Sequence, residues 1–257
     1  MTGTVTYLYA VTGSDPVIPV DELAGIDGAP VTAIDTGELT ALASEVSVAA
    51  LRNLPEHSTG AVPDWLAAAV QAHDAVAVHA LRHATVLPMR FGSVYPDQGA
   101  VAATLDRHRD RLLTELRRLA GCTEWTVTVQ AAAATGSEVH TAPPVAGAGT
   151  TFLRARQAEL QAERTRRDQL AACTDDLLET LRGTSRELVV SRGQTIRLSC
   201  LVSEVETFHA ALTALRSRHR TPVRVTGPWP PYHFTGGLFD ARPKTGFSDE
   251  RPEAEDG

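Results

Sequence analysis

Residues Thr4 to Val11 alternate, with Val5, Tyr7, Tyr9 and Val11 on one face, and predict an opening strand. A loop follows through Pro16, Pro19, Gly25 and Gly28. Val31 to Asp35 and Leu39 to Val46 predict two short strands about a Thr36-Gly37 turn, and Pro55 to Pro63 a loop. From Asp64 to His83 the period changes: Leu66, Ala69, Val70, His73, Val76 and Ala80 recur at helical steps. Thr85 to Val94 is apolar but broken by Pro88 and Gly92. Gln98 to Ala120 is a second amphipathic helix, striped by Val101, Leu105, His108, Leu112, Leu116 and Leu119 and closed by Gly121.

The second half opens on a clean alternation over Glu124 to Gln130, with Trp125, Val127 and Val129 set against Glu124, Thr126 and Thr128. Ala131 to Ala148 is rich in Ala, Pro and Gly and predicts a linker or variable loop. Gly149 to Arg182 is a long, charged helix with a sparse stripe of Phe152, Leu153, Leu160, Leu170, Leu177 and Leu181. Glu187 to Arg192 and Thr195 to Val202 predict a hairpin about Gly193-Gln194, with Ile196, Leu198, Cys200 and Val202 facing one way. A helix over Glu204 to His219, carrying Val205, Phe208, Leu212 and Leu215, and a strand over Thr221 to Gly227 complete the pattern.

Strand, helix, strand, strand, helix, strand is the ferredoxin-like βαββαβ order. The fold class expected is therefore α+β with two domains: 1–121 as an N-terminal α+β domain, and 122–239 as a ferredoxin-like domain with a long first helix. Residues 240–257 are acidic and nearly free of apolar side chains, so a disordered tail is expected.

Two segments stand out from this frame. Gly227-Pro228-Trp229-Pro230-Pro231-Tyr232-His233-Phe234 places three prolines in four positions. Each fixes φ and removes a donor, which predicts a stiff extended strap rather than a helix or a central strand. A polyproline-like period of about three residues would set Trp229 and Tyr232 on one side, facing the domain. A recognition strap is the other reading. The long helix, at ~1.5 Å per residue, spans about 50 Å, whereas a strand of six or seven residues covers only about 20–23 Å. It must overhang its sheet as an arm, or break near Arg164 to Asp168.

Composition narrows the chemistry. The net charge of −7 argues against nucleic acid as the main partner. Lys244 is the only lysine and sits in the tail, so neither a phosphate-loop nor a Schiff-base lysine is available. Cys122, Cys173 and Cys200 are scattered and odd in number, which suggests a reducing, cytoplasmic compartment and neither a disulfide frame nor a zinc site. No secretory signal and no run of about 18 apolar residues is present, so neither export nor a lipid membrane is expected.

Catalytic constellations are absent by motif: no Gly-x-Ser-x-Gly, no Gly-x-Gly-x-x-Gly and no His-Glu-x-x-His. His79 and His83, four residues apart beyond His73, have no further ligand pair at metal spacing, so no metal and no cofactor are expected. Arg90 lies between Met89 and Phe91 and admits two readings: an anion clamp, or a partly buried arginine paired within its own fold. Arg154, Arg156, Arg164, Arg166 and Arg167 interleave with Glu159, Glu163 and Asp168, which predicts a solvated, ion-paired helix face.

Two stretches also carry a resemblance. Val86-Leu87-Pro88-Met89-Arg90-Phe91-Gly92-Ser93-Val94 and Val225-Thr226-Gly227-Pro228-Trp229-Pro230-Pro231-Tyr232-His233-Phe234 resemble the signatures of the gas vesicle GvpF/GvpL family. The similarity extends to Val5-Thr6-Tyr7-Leu8-Tyr9-Ala10, to the Trp65…His73 helix, to Gly121-Cys122-Thr123-Glu124-Trp125-Thr126-Val127 and to Gly149-Thr150-Thr151-Phe152-Leu153-Arg154-Ala155-Arg156. The resemblance implies a non-enzymatic accessory or minor structural protein of gas vesicle assembly, and so of buoyancy. It implies as partners the small, very apolar major shell protein and other gas vesicle accessory proteins, in the cytoplasm or at the vesicle. Pro88, Arg90, Phe91, Gly92, Gly227, Pro228, Trp229, Pro230, Pro231 and Tyr232 are the candidate structural or partner-surface residues; the family supplies no catalytic ones. The alternative class is a small-molecule- or anion-binding regulatory protein with Arg90 as its anchor, or a cryptic enzyme.

Overall fold

Two antiparallel sheets, each with helices, make up the α/β chain. The computed structural model describes residues 3–21, 23–51, 64–129, 148–192, 195–219 and 223–236. The expected loop over Pro55 to Pro63, the linker after Gln130, the Gly193-Gln194 turn and the tail lie outside the described residues. The chain divides into two compact units, Met1–Arg118 with Phe234–Gly257, and Leu119–His233.

In the first unit β1 (Thr4–Gly13), β2 (Thr32–Asp35) and β3 (Leu39–Ser47) are followed by a single turn α1 (Val48–Leu51) and by α2 (Asp64–Leu81). Then come β4 (Val86–Pro88), β5 (Val94–Tyr95) and α3 (Gln98–Leu119). The sheet order is β2-β3-β1-β4, with β5 also pairing β1, so β1 has partners on both sides and is buried from Thr6 to Thr12. The alternation of β1 is not maintained to its end. Leu8 pairs with Ala43 but Ala10 with Leu42, so Tyr9 is the extra residue of a β-bulge. Beyond the bulge the faces exchange: Ala10 joins Tyr7 and Tyr9 in the core cluster, and Val11 does not share their face as the sequence pattern suggested. The core against α2 comprises Ala69, His73, Val76 and Ala80, close to the stripe read from the sequence.

In the second unit β6 (Thr123–Val129), α4 (Ala148–Thr184), β7 (Glu187–Arg192), β8 (Ile196–Val202), α5 (Val205–Arg218) and β9 (Val223–Trp229) give the sheet order β7-β8-β6-β9. Its core joins Trp125, Val127 and Val129 with Leu198, Cys200 and Val202, beneath Cys173, Leu177 and Leu181 of α4 and Phe208, Leu212 and Leu215 of α5. All three cysteines are free and buried. Burial pushes the Cys200 thiol up to about 12, so it behaves as an apolar core residue.

Of the two alternatives for the long helix, the unbroken one holds: α4 runs for 37 residues with no interruption at Arg164 to Asp168. One expectation is corrected. The strap is not extended throughout. Its first half is the end of edge strand β9, and Tyr232–Phe234 is a 3₁₀ turn. Proline is tolerated because β9 is an edge: a bulge between Glu124 and Thr126 of the partner register absorbs Gly227 and Pro228.

Candidate functional site

The first signature is a loop held from beneath by a neutral polar network. Pro88 pairs with Ala10 of β1 at the sheet edge, where its missing N–H costs nothing, and the Met89 N–H donates to Tyr9 O at 2.9 Å. His73 of α2 is buried, with Nε2 3.1 Å from Met89 O and Nδ1 3.1 Å from the Tyr7 hydroxyl. A carbonyl only accepts, so Nε2 carries the proton and Nδ1 accepts from Tyr7. The Tyr7 oxygen in turn accepts the Gly92 N–H at 2.8 Å. Ser93 closes the turn: its N–H and hydroxyl both donate to Arg90 O, at 3.2 and 2.7 Å. Gly92 has φ +88°, a conformation that favours glycine.

Around these bonds the rings of Tyr7, His73 and Phe91 meet edge to face at 5.7–6.2 Å, with Tyr9 tilted 4.9 Å from Tyr7. Burial raises the Tyr7 and Tyr9 phenols and lowers the His73 imidazole from their ordinary values. All three are therefore held neutral near physiological pH. Such a cluster fixes a loop; it supplies neither an anionic nucleophile nor a cationic acid. Of the two readings of Arg90, the partly buried one is corrected as to burial, since its side chain is exposed. Pro88 and Met89 are buried, and Phe91 is half-buried.

The second signature is anchored by a residue the sequence reading placed on the polar side of β6. Glu124 is buried (2% exposed), not solvated. Its Oε2 accepts the His233 N–H at 3.0 Å and its Oε1 accepts the His233 Nδ1–H at 2.6 Å. Both carboxylate oxygens are thus used, as burial of such a group requires. Gly227 has φ +144°, and a Cβ there would stand 2.9 Å from Glu124 O and from the Trp125 ring. Pro230, Pro231 and Phe234 are buried and Tyr232 is half-buried, but Trp229 is 42% exposed. Trp229 and Tyr232 therefore do not share an inward side. The chain turns at Pro230-Pro231 after a strand, so the three-residue period does not apply. The one sequence sign of Glu124 was an acidic residue within the Gly121–Val127 similarity.

The third feature is the arm. Every side chain described from Phe152 to Gln169 is exposed, and burial begins only at Leu170 and Cys173. Phe152 and Leu153 are 69% and 66% exposed, and Leu160 44%. Arg156 pairs with Glu159 at 3.2 Å and Arg167 with Glu163 at 2.6 Å, as expected for a solvated helix face. From Ala148 to Gln169 this overhang is about 33 Å long at ~1.5 Å per residue.

In the first unit a shallow groove of about 390 Å³ is lined by Ile26, Asp27, Trp65, Ala68, Ala69 and Ala72. The His79 and His83 rings lie 4.8 Å apart, tilted by 44°, and His79 Nε2 bonds Pro19 O at 2.8 Å. No group of three or more metal-ligating side chains occurs among the described residues. None of the described helices is long and apolar enough to cross a membrane.

Comparison with known proteins gives a consistent result. A family model described as gas vesicle synthesis protein GvpL/GvpF matches residues 5–236. Gas vesicle protein L of Streptomyces sp. (strain CB03234) is 33% identical over 256 residues, covering 91% of this chain and 94% of that protein. Gas vesicle protein F of the same organism is 29% identical, covering 89% and 98%. The crystal structure of the gas vesicle protein GvpF from Anabaena sp. PCC7120 superposes with a TM-score of 0.63 at 18% identity, covering 91% of this chain and 96% of that one. The GvpF structure from Microcystis aeruginosa gives 0.59 at 16% identity, covering 90% and 98%.

Proposed function

The chain belongs to the gas vesicle synthesis protein GvpL/GvpF family, and from that premise we propose that it is a non-enzymatic assembly protein that binds the apolar major shell subunit and aids its entry into the vesicle wall. A role in gas vesicle assembly follows from the relatives. The finer reading rests on physics. A subunit destined to line a water-excluding wall exposes apolar surface beforehand, and such surface aggregates unless covered. A partner with net charge −7 would keep the complex dispersed.

The observation that supports this most is the arm of α4, which carries Phe152, Leu153 and Leu160 beyond its own sheet, where none of them is buried within its own unit. Large apolar side chains this exposed on a helix fit a helix-to-apolar-surface contact. We place the protein in the cytoplasm or at the vesicle, with the shell subunit and other accessory proteins as partners, and without nucleic acid. We read the boundary of its two domains at the turn around Gly121, with the second domain ferredoxin-like, a reading supported by the β7-β8-β6-β9 order.

Co-purification with the shell subunit, together with light scattering of that subunit during dilution from denaturant, tests the proposal. The protein should suppress aggregation, and Phe152→Ala/Leu153→Ala/Leu160→Ala should lose that effect without a change in melting temperature. Wild-type protein that neither binds the subunit nor alters its aggregation refutes the reading. A full effect in the triple variant refutes the assignment to the arm.

A further inference from the structure

The four-stranded sheet of the second unit has two unlike faces. Val127, Leu198, Cys200 and Val223 face the core, and both helices of the unit pack on that side. On the opposite face the register places Ser191, Arg197, Thr128 and Arg224 in one row across all four strands. Arg197 pairs with Ser191 and with Thr128, and Thr128 pairs with Arg224. Adjacent strands lie ~4.8 Å apart, so the two arginine backbones stand about 10 Å from one another with the threonine between them. Both arginines are exposed, and neither forms a side-chain hydrogen bond or ion pair among the described residues.

No acidic side chain stands directly opposite either arginine in the register, where an opposite charge would stabilise the pair. Here two like charges flank a hydroxyl in a chain whose net charge is −7. The next row on this face is Val189, Ser199, Thr126 and Thr226, with Ser199 buried. The row beyond is Glu187, Leu201, Glu124 and Trp229, with Leu201 and Glu124 buried. The face is therefore open at the row of Ser191, Arg197 and Arg224 and closes toward the other end of its central strands. Trp229 Nε1 is 3.5 Å from Thr226 Oγ1. Val189 is 36% and Trp229 42% exposed. Arginine is among the residue types enriched at protein-binding hot spots.

We propose that this face docks an acidic segment of a partner protein, whose carboxylates are taken by Arg197 and Arg224 over the Thr128 hydroxyl. Paired guanidinium groups match carboxylates in geometry as well as charge. Nucleic acid is the poorer occupant, because two arginines on an acidic chain do not neutralise a phosphate backbone. The surface is separate from the apolar arm of α4 and does not depend on what the arm binds.

Fluorescence anisotropy of a labelled Glu-rich peptide tests this, with a Lys-rich peptide of equal length and a single-stranded oligonucleotide as comparison probes. The Glu-rich peptide should bind, and more weakly as salt rises. Arg197→Ala/Arg224→Ala should weaken it by about tenfold or more, the effect of losing roughly one charged pair. The melting temperature should not move, since both side chains are exposed. Arg154→Ala/Arg156→Ala on α4 should leave binding unchanged. Absence of acidic-peptide binding, an equal loss in the α4 variant, or preference for the oligonucleotide through the same two arginines would overturn the proposal.

Discussion

Removing the Tyr7 hydroxyl isolates the network beneath the first signature. The hydroxyl is fully buried, donates to His73 Nδ1 and accepts from Gly92 N–H. Tyr7→Phe keeps the ring and its packing, so no cavity term enters beyond one oxygen. His73 Nδ1 is left buried without that donor, which costs about 1–3 kcal/mol. The Gly92 N–H lies at an exposed position that water can reach, so its loss is about 0.5–1.5 kcal/mol. The sum, about 1.5–4.5 kcal/mol, is a large part of the ~5–15 kcal/mol that stabilises a domain. For a chain of this size each kcal/mol moves the melting temperature by about 2–4 °C. Urea denaturation should read the energy, and hydrogen exchange at the Gly92 amide should read the site, with protection falling even under native conditions. A change under about 0.5 kcal/mol, the range of ordinary surface substitutions, together with unchanged Gly92 protection, would show that the loop is held by packing alone.

Further outcomes follow from the same geometry. Burial holds the His73 imidazole below its ordinary 6.5, so the unfolded chain binds the proton more readily. The stability this contributes is present above about pH 6.5 and is lost as pH falls, and denaturation midpoints at pH 7.5 and 5.5 should differ in that direction, less so in His73→Gln. Gly227→Ala should destabilise the second unit by more than the ~1–3 kcal/mol of a strained backbone alone, because its Cβ would meet Glu124 O and the Trp125 ring; a normal urea midpoint would contradict this. Cys200, fully buried and with its thiol pushed up to about 12, should resist thiol-specific reagents in native protein and react only on unfolding, which mass spectrometry can follow. Trp229→Ala, in contrast to a buried tryptophan, should cost under about 1 kcal/mol in a thermal melt, since the indole is 42% exposed.

Periodicity determined the longer elements, and the short α1, β4 and β5 escaped it. Two-residue alternation located β1, β3, β6 and β8, and three- to four-residue recurrence located α2, α3 and α5, because side chains repeat on one face with the period of the backbone. The two signature segments were also legible, since proline and glycine act locally on φ and on backbone donors. What pairing decided was invisible along the chain. The bulge at Tyr9 exists only because β3 opposes β1, and it moves Val11 off the face its alternation assigned. Glu124 alternates with the apolar side chains of β6, yet it is buried, and His233, 109 residues away, supplies both of its side-chain hydrogen bonds. Trp229 read as a staple because prolines suggested a three-residue period, but its position at an edge strand turned it outward. The Arg197–Thr128–Arg224 row needs the register of three strands. Local rules fix which way the backbone turns, whereas burial and charge proximity depend on contacts between distant residues, and those form only in the folded chain.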